Sequence, residues 1–280
     1  MRIVILLLGL LFLNACDDAF ASRGRNRARR ATTVKSSAVA EVDSLAGGFS
    51  DWLFYFDGTN FADPWTNVGG SDSLSLDDDG ETSPVGDQAT TGLTNIGSRV
   101  GKAVDFNATD CMRETQSSGV NAIGPDLHIR LVMYPDVLAS SDWISDYASD
   151  ANNEYRIYGH TTNGLRFRIS NGVNENYDTS VTGLTTGQWM IVDIVHDANG
   201  GGTGKALTTI YINGTEYTFS EAVNTGVGIA SGGNLSIGDW ADCGDLNFDG
   251  RILFYGLRNN ISGIDETQHD SDCLSIGICS

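Results

Sequence analysis

The sequence predicts an all-β fold, a two-sheet antiparallel sandwich. Three observations carry this expectation. Apolar residues recur with period two along most of the chain, turn residues interrupt them at spacings of about 8–12 residues, and no stretch holds apolar residues at helical spacing long enough for a packing helix. The 34 Gly and 4 Pro suit a chain of many tight turns. With 280 residues, 40% of them hydrophobic, the chain can form one large β domain with a substantial core.

The first element is a leader. Met1-Arg2 is a minimal positive start, and Ile3 to Leu13 is an unbroken run of apolar residues or Gly. That run is shorter than the roughly 20 residues a membrane helix needs, but suits the core of a signal peptide. Leu13-Asn14-Ala15-Cys16 resembles the lipobox of bacterial lipoproteins, in which the Cys becomes the lipidated first residue. Ala19-Phe20-Ala21 offers an ordinary A-x-A cleavage site. The lipobox is preferred because Asp17-Asp18 sits awkwardly in an ordinary cleavage region. The organisation expected is therefore a signal peptide over residues 1–15, with an alternative end at 21. A linker follows over 16–48, basic at first (Arg23 to Arg30) and then small and polar, acting as a solvated tether. The domain occupies 49–280. Location outside the cytoplasm follows, as an outer-envelope lipoprotein or a secreted protein, with membrane contact only through a lipid on Cys16.

The strands begin at Trp52-Leu53-Phe54-Tyr55-Phe56, ended by Asp57-Gly58. Leu127, Ile129, Leu131 and Met133 alternate with His128, Arg130, Val132 and Tyr134. Leu165, Phe167 and Ile169 alternate with Arg166, Arg168 and Ser170. Both patterns predict strands with one face in a core and one face wet. Trp189 to Val195 is apolar on both faces except at Asp193 and reads as a central strand. Thr208, Ile210 and Ile212 lead into Asn213-Gly214 and then Tyr217 and Phe219, a hairpin signal because both turn residues need positive φ. Leu235-Ser236-Ile237 and Ile252-Leu253-Phe254-Tyr255 complete the set. A short helix is expected at Ile264 to Asp270.

Charge excludes some partners. The chain carries −19, and the first thirty residues hold six Arg against two acids. The rest therefore has 11 basic and 34 acidic residues. A body that acidic repels nucleic acid and anionic lipid and is highly soluble. Of the five Cys, Cys16 leaves the pairing pool by lipidation or cleavage. Cys111, Cys243, Cys273 and Cys279 remain, an even number for an oxidising compartment. Three connectivities are open; Cys273–Cys279 with Cys111–Cys243 is preferred, since the first pair would staple the tail.

Several stretches together resemble a known family. Val100-Gly101-Lys102-Ala103-Val104-Asp105-Phe106, Ile210-Tyr211-Ile212-Asn213-Gly214 and Phe248-Asp249-Gly250-Arg251-Ile252-Leu253 are similar to ordered motifs of LamG-like domains in the concanavalin A-like lectin/glucanase superfamily. Gly263-Ile264-Asp265-Glu266-Thr267 is similar to the family's closing helix. The resemblance spans about Phe49 to Cys279. It implies a jelly-roll sandwich with its first and last strands side by side, and members that bind glycans, proteins or calcium, some being hydrolases. Leu253 stands where the family usually has Asp.

Catalytic patterns are missing. The family's glucan hydrolases carry E-x-D-x-x-E on one strand face, whereas Glu41-Val42-Asp43 here is followed by Ala46 in the last place. No H-E-x-x-H or G-x-S-x-G occurs. The domain is therefore expected to be non-catalytic. Asp57 and Asp249 are the candidates for one structural calcium, since that ion takes carboxylate and carbonyl oxygens from loops. Aromatic rings among polar residues are the candidates for ligand contact: Trp240 with Asp239 and Asp242, Trp143 with Tyr147, and Tyr155 and Tyr158 with Arg156. The expected role is recognition of a glycan or a surface protein. The alternatives are a structural subunit of an envelope, filament or extracellular assembly, and then a polysaccharide-degrading enzyme with displaced acids.

Overall fold

A computed structural model describes residues 43–58, 61–62, 64–70, 75–77, 88–89, 103–106, 110–114, 123–140, 142–150, 153–160, 163–171, 176–202, 205–222, 234–239 and 248–279. The leader, the lipidation candidate Cys16 and most of the linker lie outside them, as do Trp240, Asp242 and Cys243. The described residues form two antiparallel sheets of eight strands each. Sheet A runs β14 (Thr215–Ala222), β13 (Lys205–Ile212), β12 (Met190–Asp197), β7 (Leu127–Pro135), β16 (Gly250–Arg258), β5 (Ala103–Phe106) and β4 (Gln88–Ala89), with β1 (Phe54–Asp57) also paired to β16. Sheet B runs β11 (Asn176–Val181), β10 (Gly164–Asn171), β9 (Asn153–His160), β8 (Trp143–Asp150), β15 (Asn234–Ile237), β6 (Met112–Glu114), β3 (Ser75–Asp77) and β2 (Trp65–Thr66). The first and last strands pair in register from Phe54 opposite Leu257 to Asp57 opposite Phe254.

Alternation builds the core. Leu127, Ile129, Leu131 and Met133 of β7 meet Leu165, Phe167 and Ile169 of β10 in one buried cluster between the sheets. Burial of this apolar set, at about 25 cal/mol per Å², is the main force holding the layers together. One polar bolt crosses the gap: Ser145 Oγ donates to Tyr255 Oη at 2.8 Å, and the hydroxyls of Tyr155 and Tyr255 share a 2.6 Å bond. The hairpin between β13 and β14 turns through Asn213 (φ 48°) and Gly214 (φ 81°), as the Asn-Gly pair requires.

The outer face of sheet A is not wet, contrary to the sequence expectation. His128 and Arg130 have no exposure. A second apolar cluster covers that face: Leu45 and Ala46 of the short helix α1 (Asp43–Ala46), Trp52, and Cys273 and Ile276 of helix α2 (Glu266–Ile276). Leu253 belongs to the same cluster. It sits in a bulge of β16 between Ile252 and Phe254 that turns two successive residues outward. That burial is the physical reason an Asp would be out of place there.

Helix α2 is longer than the sequence suggests. Asp265 caps its start by accepting from the Gln268 amide at 2.8 Å, and Gly277 ends it at φ 82°. The disulfide Cys273–Cys279 staples its last turn. Its buried residues are His269, Asp272, Cys273 and Ile276. Their spacing is that of one helical face, but half are polar, so no apolar stripe marks the sequence. Cys111 is also disulfide-bonded, to a partner outside the described residues.

The polar half of that face docks on Asp193. Its Oδ1 accepts from His128 Nε2 and from Arg130 Nε, both at 2.7 Å. Its Oδ2 accepts from Arg130 Nη2 at 2.9 Å and from His269 Nδ1 at 2.7 Å. Arg130 also reaches Asp272 Oδ2 at 2.6 Å and the Leu45 carbonyl at 3.2 Å. One carboxylate thus ties β12, β7 and α2 together, and Arg130 extends the tie to α1. Removing its charge leaves the buried guanidinium with Asp272 as its remaining carboxylate partner, and breaking a buried pair costs about 3–5 kcal/mol. Asp193→Asn should lower unfolding stability by that order in urea titrations, and a loss under about 1 kcal/mol would show the cluster to be dispensable.

Candidate functional site

Sheet B leaves one face toward solvent, and the β9–β10 hairpin furnishes it. Register places Trp143 opposite Tyr158, Tyr158 opposite Arg166, and Arg156 opposite Arg168. Alternation sends these side chains outward while Tyr155, Ile157, Leu165 and Phe167 enter the core. The rings of Trp143 and Tyr158 stack at 5.4 Å and 23°. Arg156 lies over Trp143 at 4.7 Å and Arg166 over Tyr158 at 5.9 Å. Arg166 Nη2 donates to His160 Nε2 at 2.9 Å. Asp146 faces Arg156 at 3.5 Å. Trp143 is only 8% exposed, so it forms the base of the array. Tyr158, His160, Arg156, Arg166 and Arg168 are half-buried and present the contact surface.

The sequence grouped these residues differently. Trp143 and Tyr147 were expected side by side, and Tyr155 with Arg156 and Tyr158. The structure separates both groups. A bulge between Trp143 and Ser145 shifts the alternation, so Trp143 points outward while Tyr147 points into the core. Tyr147 and Tyr155 have no exposure and stack on each other at 5.6 Å and 16°. Rings sealed between the sheets are not available to a ligand arriving from water. Asp239 is buried, its carbonyl accepting from Ser236 Oγ at 2.8 Å. Arg166 and Arg168 were read from the sequence only as strand residues, and His160 was not singled out; the signal for the arginines was the Arg-x-Arg alternation itself.

Asp57 and Asp249 do not come together. Asp57 pairs with Phe254, five residues along the chain from Asp249 and so about 16 Å away at the usual strand rise. Asp57 is buried at the end of β1 and its carbonyl accepts from Trp65 Nε1 at 3.2 Å. The Asp249 carbonyl accepts from the Asp136 amide at 3.0 Å. Burial, then the charges of Asp136 and Asp142, raise the Asp249 carboxyl above its ordinary value. Gly250 follows because a β-carbon there would lie 2.7 Å from the Phe248 ring. Among the described residues, no three His, Cys, Asp or Glu side chains are placed to hold a metal ion.

A cleft of about 410 Å³ opens at one end of sheet A, between Tyr134, Gln188, Trp189, Asn213 and Ile278. Its rings, Tyr134 and Trp189, meet edge to face at 5.5 Å. Arg251 covers Tyr134 at 5.1 Å and is itself engaged by Asp136 at 2.8 Å and Asp105 at 3.2 Å.

The Asp193 cluster has acid-base residues but no access: Asp193, His128, Arg130 and His269 are wholly buried. Burial alone would raise the Asp193 carboxyl, but Arg130 and the bonds from His128 and His269 hold it well below the carboxylate range. Burial, helped by Arg130 and Arg258, pushes His128 down to about 4 against the opposing pull of Asp193. Arg258 Nε donates to His128 Nδ1 at 2.7 Å, which fixes the His128 proton on Nε2. His196 faces Phe167 between the sheets, and burial pushes it to about 4 as well. The cluster is structural.

Residues 131–254 match the family model of the concanavalin A-like lectin/glucanases superfamily. The two antiparallel sheets and closing helix are the concanavalin A-like jelly-roll sandwich. Solved structures with this fold include domain 4 of an extracellular arabinanase from Geobacillus stearothermophilus, in complex with arabinotriose. It is 16% identical with a TM-score of 0.51, and the match covers 79% of this chain and 98% of that one. The binding domain of botulinum neurotoxin DC in complex with SialylT is 15% identical with a TM-score of 0.54, covering 82% of this chain and 52% of that one. The binding domain of botulinum neurotoxin serotype D is 10% identical with a TM-score of 0.55, covering 81% and 52%. The chain thus spans about half the length of these toxin domains. Among curated proteins none matches the sequence.

Two of the buried histidines, His128 and His196, make stability acid-sensitive. Their folded pKa values, about 4, lie below the 6.5 of an unfolded histidine. Between those values the unfolded chain binds protons that the folded chain refuses. Stability should therefore be flat above pH 6.5 and fall toward pH 4, by up to about 1.4 kcal/mol per pH unit for each histidine. Asp193 adds to the loss only at still lower pH. Urea unfolding at pH 7, 5.5 and 4.5 checks this. His196→Gln should flatten the slope by about half, and equal stability at all three pH values would contradict it.

Proposed function

We propose that this domain is a non-catalytic recognition module that binds glycan on the outer face of sheet B, in a protein exported from the cytoplasm. The observation that carries it is the β9–β10 hairpin face. Trp143 and Tyr158 form a rigid aromatic base there, and Arg156, Arg166, Arg168 and His160 provide polar contacts around it. Apolar ring surface beside directed polar groups is what a sugar needs, since it presents C–H faces and hydroxyls together. The arabinotriose and SialylT complexes of similarly folded domains support the same role. Export is supported by the leader-like Ile3 to Leu13 run and by the Cys273–Cys279 disulfide. Lipidation at Cys16 is proposed as the anchor.

The non-catalytic reading is supported by Asp146, which is buried on this face and faces Arg156 at 3.5 Å, whereas glycoside hydrolysis requires two carboxylates flanking one bond. Arginine and aromatic groups are not cation ligands, so contact on this face proceeds without calcium.

A glycan array probed with the full secreted chain, with calcium and with chelator, tests the proposal. Binding should persist in chelator. Tyr158→Ala should weaken it about tenfold, equivalent to ~1.4 kcal/mol. Retention of an envelope protein with no glycan bound, or binding lost on Trp189→Ala but not on Tyr158→Ala, would move the site elsewhere.

A further inference from the structure

We infer that the glycan is anionic, bearing carboxylate or sulfate groups read by Arg166; this rests on the glycan-recognition proposal and names the chemistry of the same site. Beyond Arg30, acids outnumber bases 34 to 11. A base placed without purpose in such a body finds a carboxylate. Arg166 does not. Among the described residues its guanidinium meets only the Tyr158 ring at 5.9 Å and His160 Nε2 at 2.9 Å. A guanidinium only donates, so His160 contributes its ring lone pair and no negative charge balances Arg166 there.

The surroundings reinforce this. Arg168 lies two residues along β10 on the same face, and Arg156 stands directly opposite Arg168 in register. Arg156 is faced by Asp146 at 3.5 Å, and Arg168 has Asp178 opposite it in register on β11, so Arg166 is the member of the group that is left to meet a charge on the ligand. A planar guanidinium offers paired donors that fit a carboxylate or sulfate, and stacking on Tyr158 keeps its plane fixed. Tyr158 also leaves an aromatic contact for the sugar ring beside the charged group. The rest of the acidic surface repels anions, so only a ligand that carries its charge to this hairpin gains from it.

The test uses the full secreted chain and three sets of oligosaccharides matched in length: neutral, carboxylated with sialic or uronic acid, and sulfated. Carboxylated or sulfated members should bind at least about tenfold tighter than neutral ones, and the two acidic sets identify which group is read. Arg166→Gln should remove that preference, lowering acidic-glycan affinity about tenfold more than it lowers neutral binding. Arg166→Lys should restore part of it, keeping the charge without the paired donors. Melting temperatures close to wild type confirm that both variants fold. If Arg166→Gln does not fold, Arg166→Lys carries the test, and its preference for acidic members should be smaller than that of the wild type. Equal binding of neutral and acidic sets, unmoved by these variants, would overturn the inference and leave glycan recognition standing. Absence of binding to every set would overturn both.

Discussion

Asp193 stands in a strand whose neighbours are apolar, and its charge must be answered where water cannot reach. The answer comes from three residues on two elements: His128 and Arg130 on the adjacent strand and His269 on the closing helix. Arg130 in turn holds Asp272 and the Leu45 carbonyl, so the helices on that side are located by one hydrogen-bonded centre. Around it the apolar contacts of Trp52, Leu253, Phe254 and Ile276 close the face. Dispersion and burial provide most of the energy there, but they are indifferent to small slides of a helix over a sheet. The fixed geometry of a guanidinium against a carboxylate is not.

The consequence is a difference between the two sheets. Sheet A is covered on both sides at its central strands, and β7 and β16 are buried almost throughout. Sheet B keeps one face partly open, and Trp143, Arg156, Tyr158, Arg166 and Arg168 alternate outward from β8, β9 and β10 beside Asp146. A rigid, doubly buried layer thus backs a layer whose outer surface is free to carry chemistry. The bolt of Ser145, Tyr155 and Tyr255 joins the two layers within the core. Burial raises both phenols well above their ordinary values, so they remain neutral donors and acceptors throughout the physiological range.

Much of this was legible from residue order. Period-two alternation located the strands of both sheets, Asn213-Gly214 located a hairpin, and the motifs around Asp249-Gly250 and Asn213-Gly214 pointed to the sandwich. The tail disulfide followed from the closeness of Cys273 and Cys279. What escaped had physical causes. The covering helix buries His269 and Asp272 with Cys273 and Ile276, and a half-polar stripe leaves no periodic apolar trace. The strand holding His128 and Arg130 looks half-wet because its polar partners come from Asp193 and the closing helix, distant in sequence. Trp143 and Tyr147 share parity on paper, and a bulge between them puts their rings on opposite faces. Asp57 and Asp249 flank the same pair of strands, but antiparallel register carries them apart.

The pairing of the first strand with the last has a consequence in time. Phe54 opposes Leu257, so the edge of sheet A beside β16 is completed only when nearly the whole domain has been synthesised. Contacts of such long sequence separation cost much chain entropy before they return any stability, and folds built on them close slowly. Until the closing strand and its helix arrive, Asp193 lacks His269 and the outer apolar cluster lacks its cover. A nascent chain in that condition lacks its final packing until its last segment has been synthesised.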